Sequence, residues 1–116
     1  MQDLNKYGFY SGGYVYDLLD RAALSAINAK YPHTIYKQLY TTYGEIIYYK
    51  QLCDDKVTIM LRTVCCSNKK PARTYYASLE LYDKNRTKIA MAQFNFRIAK
   101  HNYCETGEKD GRNKTV

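Results

Sequence analysis

The sequence predicts an α+β domain: one long, largely apolar helix near the N-terminus, buried by an antiparallel sheet that makes up most of the remaining chain. Two observations carry this. Residues 14–27 are proline-free and rich in alanine and leucine, with apolar residues returning at helical spacing. After Pro32 the spacing changes to a two-residue alternation of β-branched and aromatic residues, with no later return to helical spacing.

The helix is expected to begin between Ser11 and Tyr14, where a hydroxyl residue and two glycines precede the apolar run, and to end at Ala29 or Lys30. Pro32 sets the end, because the residue before a proline is pushed out of helical geometry. Val15, Leu18, Leu19, Ala22, Ala23, Ala26 and Ile27 fall on one face, and Tyr16 and Leu24 widen it until little polar surface remains. Asp20 lies between Leu19 and Ala22, where a carboxylate is costly without a partner or a task. It is the first candidate functional residue.

The segment from Thr34 to Lys50 reads as one long strand with a bulge or bend at Gly44-Glu45. Asp54-Asp55 reads as a turn, and Val57 to Cys65 alternates as a second strand. The polar loop Ser67 to Pro71 ends it. Tyr75 to Tyr82 has the clearest two-residue period in the chain, with Tyr75, Ala77, Leu79 and Leu81 on one side. A hairpin turn at Asp83 to Arg86 has no glycine, so its left-handed position is expected at an asparagine or aspartate. Ile89 to Ile98 completes a meander of about four strands, with Ala90, Ala92, Phe94, Phe96 and Ile98 on one face. Residues 1–100 thus form one domain, and residues 101–116, charged or small, form a polar tail.

A chain of 116 residues is one domain, small enough that a second subunit would add useful burial. The net charge of +7 attracts anions without choosing among nucleic acid, lipid, acidic carrier and phosphorylated ligand. No apolar run approaches the roughly 20 residues of a membrane span, and polar residues come directly after Met1, which predicts a cytoplasmic protein. The four cysteines are then reduced thiols. Cys65-Cys66 with His101 and Cys104 matches no common zinc-ligand spacing, so no metal is expected.

The segment from Asn5 to Ala22 carries a family likeness. Asn5, Gly8, Ser11-Gly12-Gly13, Leu18, Asp20 and Ala22 resemble the motif of phenylacetate-type (PaaI-type) hotdog thioesterases. That motif reads asparagine, glycine, two residues later another glycine, then histidine-glycine-glycine and, seven positions after the second glycine of that triplet, an aspartate followed by x-alanine. The later strands share the same layout, ending in Ala92-x-x-x-Phe96, so the likeness runs from Asn5 to Ala99. Ser11 stands where the family has histidine, and the family's strand before the asparagine is expected to be missing.

The resemblance implies a hotdog fold, an acyl-CoA or acyl-carrier-protein substrate and no cofactor beyond the coenzyme A of the substrate. It implies Asp20 as catalytic carboxylate, Gly12 and Gly13 as the backbone that receives the oxyanion, and Asn5 and Ser11 beside them. Tyr14, Asp17, Lys69, Lys70 and Arg73 are the candidate substrate contacts. The chemistry is coherent: first-turn N–H groups and the helix dipole stabilise charge on a thioester oxygen, while a carboxylate activates water or attacks the carbonyl. Gly12 and Asp20 are eight residues apart, about 12 Å along a helix, and cannot serve one carbonyl in one subunit. The reading therefore requires a homo-oligomer, dimer or tetramer, with sites between chains.

Two rivals belong to other classes. A non-catalytic hotdog that binds acyl-CoA or a carrier as a sensor is favoured by the missing histidine. A small basic nucleic-acid binder would show steeply salt-dependent affinity. A hotdog dehydratase would need a histidine near the helix start, and His33 and His101 lie elsewhere.

Overall fold

The computed structural model describes residues 8–68 and 72–99. Helix α1 spans Gly12–Lys30, within the expected limits. Ser11 precedes it with extended backbone, and its Oγ accepts the Tyr14 N–H at 3.1 Å, an N-cap. Val15, Leu19, Ala23 and Ile27, each four residues on from the last, are the buried stripe. Tyr14, Tyr16, Leu18, Ala22 and Leu24 pack half-buried beside it. The exposed residues of the middle turns, Asp17, Arg21 and Ser25, form a narrow line on the opposite side.

The sheet has four strands: β1 Leu39–Tyr48, β2 Val57–Cys66, β3 Thr74–Asp83 and β4 Lys88–Ile98. All pair antiparallel, in the order β1-β4-β3-β2. Only β2, β3 and β4 form a meander. β1 lies on the far side of β4, so the link to β2 crosses the end of the sheet. Leu52, in that link, is buried and its carbonyl accepts the Tyr10 N–H at 2.7 Å, which ties the approach to the helix to the crossover. One face of the sheet presents Tyr75, Ala77, Leu79, Leu81, Ala90, Ala92, Phe94 and Phe96 to the helix, all buried, as the alternation required.

Three local expectations are corrected. The long strand from Thr34 does not form: Pro32–Tyr36 is a 3-10 turn, and β1 starts at Leu39. Pro32 presets the first residue of the turn, and the buried Thr34 hydroxyl, 2.6 Å from Asn28 Oδ1 and 2.7 Å from the Tyr31 carbonyl, holds the turn on the helix end. The bulge in β1 falls between Thr41 and Tyr43, whereas Gly44 stays in register opposite Phe94. Gly44 is required for room, since a Cβ there would run into the Tyr16 hydroxyl and come within 3.1 Å of Phe94. In the β3–β4 turn the left-handed residue is Arg86, with φ 64°. Asp83 stays outside that position because its carboxylate accepts the N–H groups of Asn85 and Thr87 at 2.8 and 2.9 Å.

On the sheet face away from the helix, Glu80 is 7% exposed. It accepts the Tyr82 hydroxyl at 2.7 Å and Lys88 Nζ at 3.2 Å, with Arg62 at 3.8 Å. The tyrosine bond first, then the lysine, hold its carboxyl below its ordinary value of 4.5. Its contribution to stability is thus present above that value and lost as pH falls through the lower value of the folded state. Glu80→Gln should lower the melting temperature at neutral pH, and the gap from wild type should close as the pH is taken into the acid range. Gly44→Ala should cost about 1–3 kcal/mol in denaturant titration through overpacking. Gly13→Ala, whose Cβ would meet nothing nearer than Ser11 Oγ at 3.9 Å, should not lower stability.

Candidate active site

Helix α1 lies antiparallel along β1, and three contacts one helical turn apart define the track. The Tyr48 hydroxyl donates to the Gly12 carbonyl at 2.7 Å. Tyr16 reaches over Gly44. The Thr41 hydroxyl donates to Asp20 Oδ1 at 3.0 Å. Gly12, Tyr16 and Asp20 share one face at i, i+4, i+8 spacing, meeting β1 in reverse order. β1 is terminal in the sheet, so this face runs beside a strand whose outer side carries no pairing among the described residues.

Asp20 is half-buried with Thr41 as its hydrogen-bond donor. That answers the cost of a carboxylate on this face, and a carboxylate has a second oxygen to present elsewhere. At the helix start the N–H groups of Gly12 and Gly13 have no acceptor within the helix, while Ser11 Oγ takes that of Tyr14. A cleft of about 350 Å³ opens there, lined by Tyr10, Ser11, Gly12, Tyr48, Lys50 and Gln51 among others. That volume suits a small ligand or the end of a long one. Burial, and then the nearby Tyr16, push the Tyr48 hydroxyl above its ordinary value, so it stays protonated and a donor.

The structure brings Ser11, Gly12, Gly13 and Tyr14 together on the first turn, with Tyr14 stacked on Tyr10 at 4.6 Å between ring centres. It does not bring Asp20 to them: two helical turns intervene. Asp17 points to solvent and pairs with Arg21 at 3.0 Å. Arg73 stands at the other end of the fold, where its Nη2 donates to the Ile98 carbonyl at 3.3 Å. Asn5, Lys69, Lys70, His101 and Cys104 lie outside the described residues, as do the segment before Asn5 and the tail 101–116. Thr41, Tyr48 and Lys50 were not singled out in the sequence. No local motif marks them; only the pairing of helix with β1 brings them to the site.

No protein-family model matches the chain, and no curated protein does. Solved structures do. The protein smu.793 from Streptococcus mutans UA159, bound to acetyl CoA, superposes with a TM-score of 0.66 at 20% identity over 84% of this chain and 72% of its own. The chain has the hotdog fold. A hypothetical thioesterase protein with coenzyme A from Streptococcus pneumoniae TIGR4 gives 0.66 at 19% identity, over 84% and 72%. That protein has also been solved as two variants, one with an aspartate and one with a threonine replaced by alanine. Slr0204, a 1,4-dihydroxy-2-naphthoyl-CoA thioesterase from Synechocystis, gives 0.66 at 15% identity, over 83% and 73%. Each likeness is one of fold. Among the described residues no helix is long and apolar enough to cross a membrane.

Proposed function

We propose that this hotdog chain hydrolyses acyl thioesters of coenzyme A at a site shared between two copies. The observation that carries the proposal is the placement of Asp20 and the Gly12-Gly13 turn on one face of α1, beside the edge of β1 that pairs with none of the described residues. About 12 Å of helix separates them within one chain. A two-fold pairing of two β1 edges runs the two helices antiparallel and brings the first turn of one toward Asp20 of the other. The coenzyme A bound in two of the fold's neighbours and the naphthoyl-CoA thioesterase named among them support the substrate class. They carry more weight for CoA than for a carrier protein.

In this reading the thioester oxygen sits against the N–H groups of Gly12 and Gly13, where the helix dipole adds to their stabilisation of the developing charge. Asp20 of the other copy, held by its Thr41, takes a proton from water as the water oxygen bonds to the carbonyl carbon. Collapse of the tetrahedral intermediate breaks the carbon–sulfur bond, and the coenzyme A thiolate leaves and takes up a proton. Ser11, as cap, keeps the first turn formed and has its hydroxyl proton left to donate. Tyr14 and Lys50 would line the approach, and Asn5 would position the water. Lys69, Lys70 and Arg73 would supply positive charge for the phosphates of the nucleotide end, and Asp17 would contact another part of the substrate. A CoA substrate and the free thiols of Cys53, Cys65 and Cys66 are in keeping with a cytoplasmic protein.

A second reading, binding without turnover, is favoured by one observation: Ser11, at the motif's histidine position, has its oxygen committed to the helix cap. A panel of acyl-CoAs assayed with wild type, Asp20→Ala and Thr41→Val separates the two. Hydrolysis by wild type, a loss of about 100-fold or more in kcat for Asp20→Ala and about tenfold for Thr41→Val is expected. Equal rates for wild type and Asp20→Ala would contradict the assigned carboxylate, and tight binding with no turnover by wild type would select the sensor.

A further inference from the structure

We infer that Tyr48 is a positioning residue for the oxyanion-side backbone, acting by fixing the peptide plane between Gly12 and Gly13. The inference rests on the thioesterase reading and deepens it. A peptide unit is rigid, so the Gly12 carbonyl and the Gly13 N–H lie in one plane and point in opposite directions. The Gly12 N–H is one rotatable residue away. Whatever holds that carbonyl therefore aims the Gly13 donor and limits the freedom of its neighbour.

The need for such a hold is local. Gly12 and Gly13 are the first two helical residues, and glycine is the residue with most conformational freedom to lose in a helix. Helix ends fray, and a pair of glycines at the end frays most easily. The Ser11 side chain secures the Tyr14 N–H, one peptide beyond the pair. The Tyr48 hydroxyl secures the pair itself, donating to the Gly12 carbonyl at 2.7 Å from a different element, the end of β1.

The fit is close, since a Cβ on Gly12 would lie 3.2 Å from that hydroxyl and 3.3 Å from the ring carbon bearing it. Glycine at this position thus serves the tyrosine's approach as well as the ligand's. Tyr48 and Gly12 both line the cleft at the helix start, so the hold is applied at the site. Because β1 is also the strand that holds Asp20 through Thr41, one strand sets the orientation of both reacting elements.

Tyr48→Phe removes the hydroxyl and keeps the ring, and Tyr43→Phe, whose hydroxyl contacts Glu45 in β1, is the control. With an acyl-CoA turned over by wild type, Tyr48→Phe should lower kcat about tenfold, change KM less than about twofold and leave the melting temperature unchanged. Its Gly13 amide should show a lower backbone order parameter by NMR than in wild type, the direct sign of a freed peptide plane. The control should match wild type in all four. Wild-type kcat, or an unchanged Gly13 order parameter, in Tyr48→Phe would overturn the inference. Equal losses in kcat and thermal stability would reduce the tyrosine to a structural role and overturn it as well. Absence of turnover in wild type would be told apart from these, since it removes the thioesterase reading and this role with it.

Discussion

The seating of α1 on the edge strand β1 is the constraint on which the rest depends. Sheet burial through Val15, Leu19, Ala23 and Ile27 supplies the apolar attachment and by itself would tolerate sliding or rotation of the helix. The polar and steric contacts on the β1 side remove that freedom: a hydroxyl on the Gly12 carbonyl, a tyrosine over Gly44, a threonine on Asp20. Each needs a particular residue at both ends. Together they put the helix start and the carboxylate beside a strand whose outer side pairs with none of the described residues.

That open edge connects stability to function. An edge strand with unpaired backbone groups is ordinarily a liability, and β1 keeps several large side chains exposed, Tyr40, Tyr43, Ile47 and Tyr48 among them. Pairing with a second copy would satisfy the backbone groups and add burial that a 116-residue chain lacks. The same pairing would complete a site that one copy leaves divided. On the proposed reading, a single physical event would serve both needs.

The large features were legible in the residues. Helix limits came from Ser11 and Pro32, and the faces of β3 and β4 from strict alternation, because both signals are local. The hotdog fold came from the motif between Asn5 and Ala22 together with the strand layout. The features that were not legible depend on distant partners. Nothing near Gly44 in sequence announces Tyr16, so the glycine looked like a bend. The 3-10 turn at Pro32 rests on Thr34 reaching back to Asn28. Asp20 could be singled out from its apolar neighbours, but Thr41 and Tyr48 become meaningful only once helix and edge strand are laid side by side.

The claim that one site draws on two chains has a direct test. Asp20→Ala removes the acid and Gly13→Val obstructs the amide turn, a position with open space around it within the chain. The two variants, co-expressed with different tags and purified as a hybrid, should each be inactive alone and together recover about half the wild-type rate, because one of two symmetric sites is rebuilt. A hybrid as inactive as its parents would contradict the shared site.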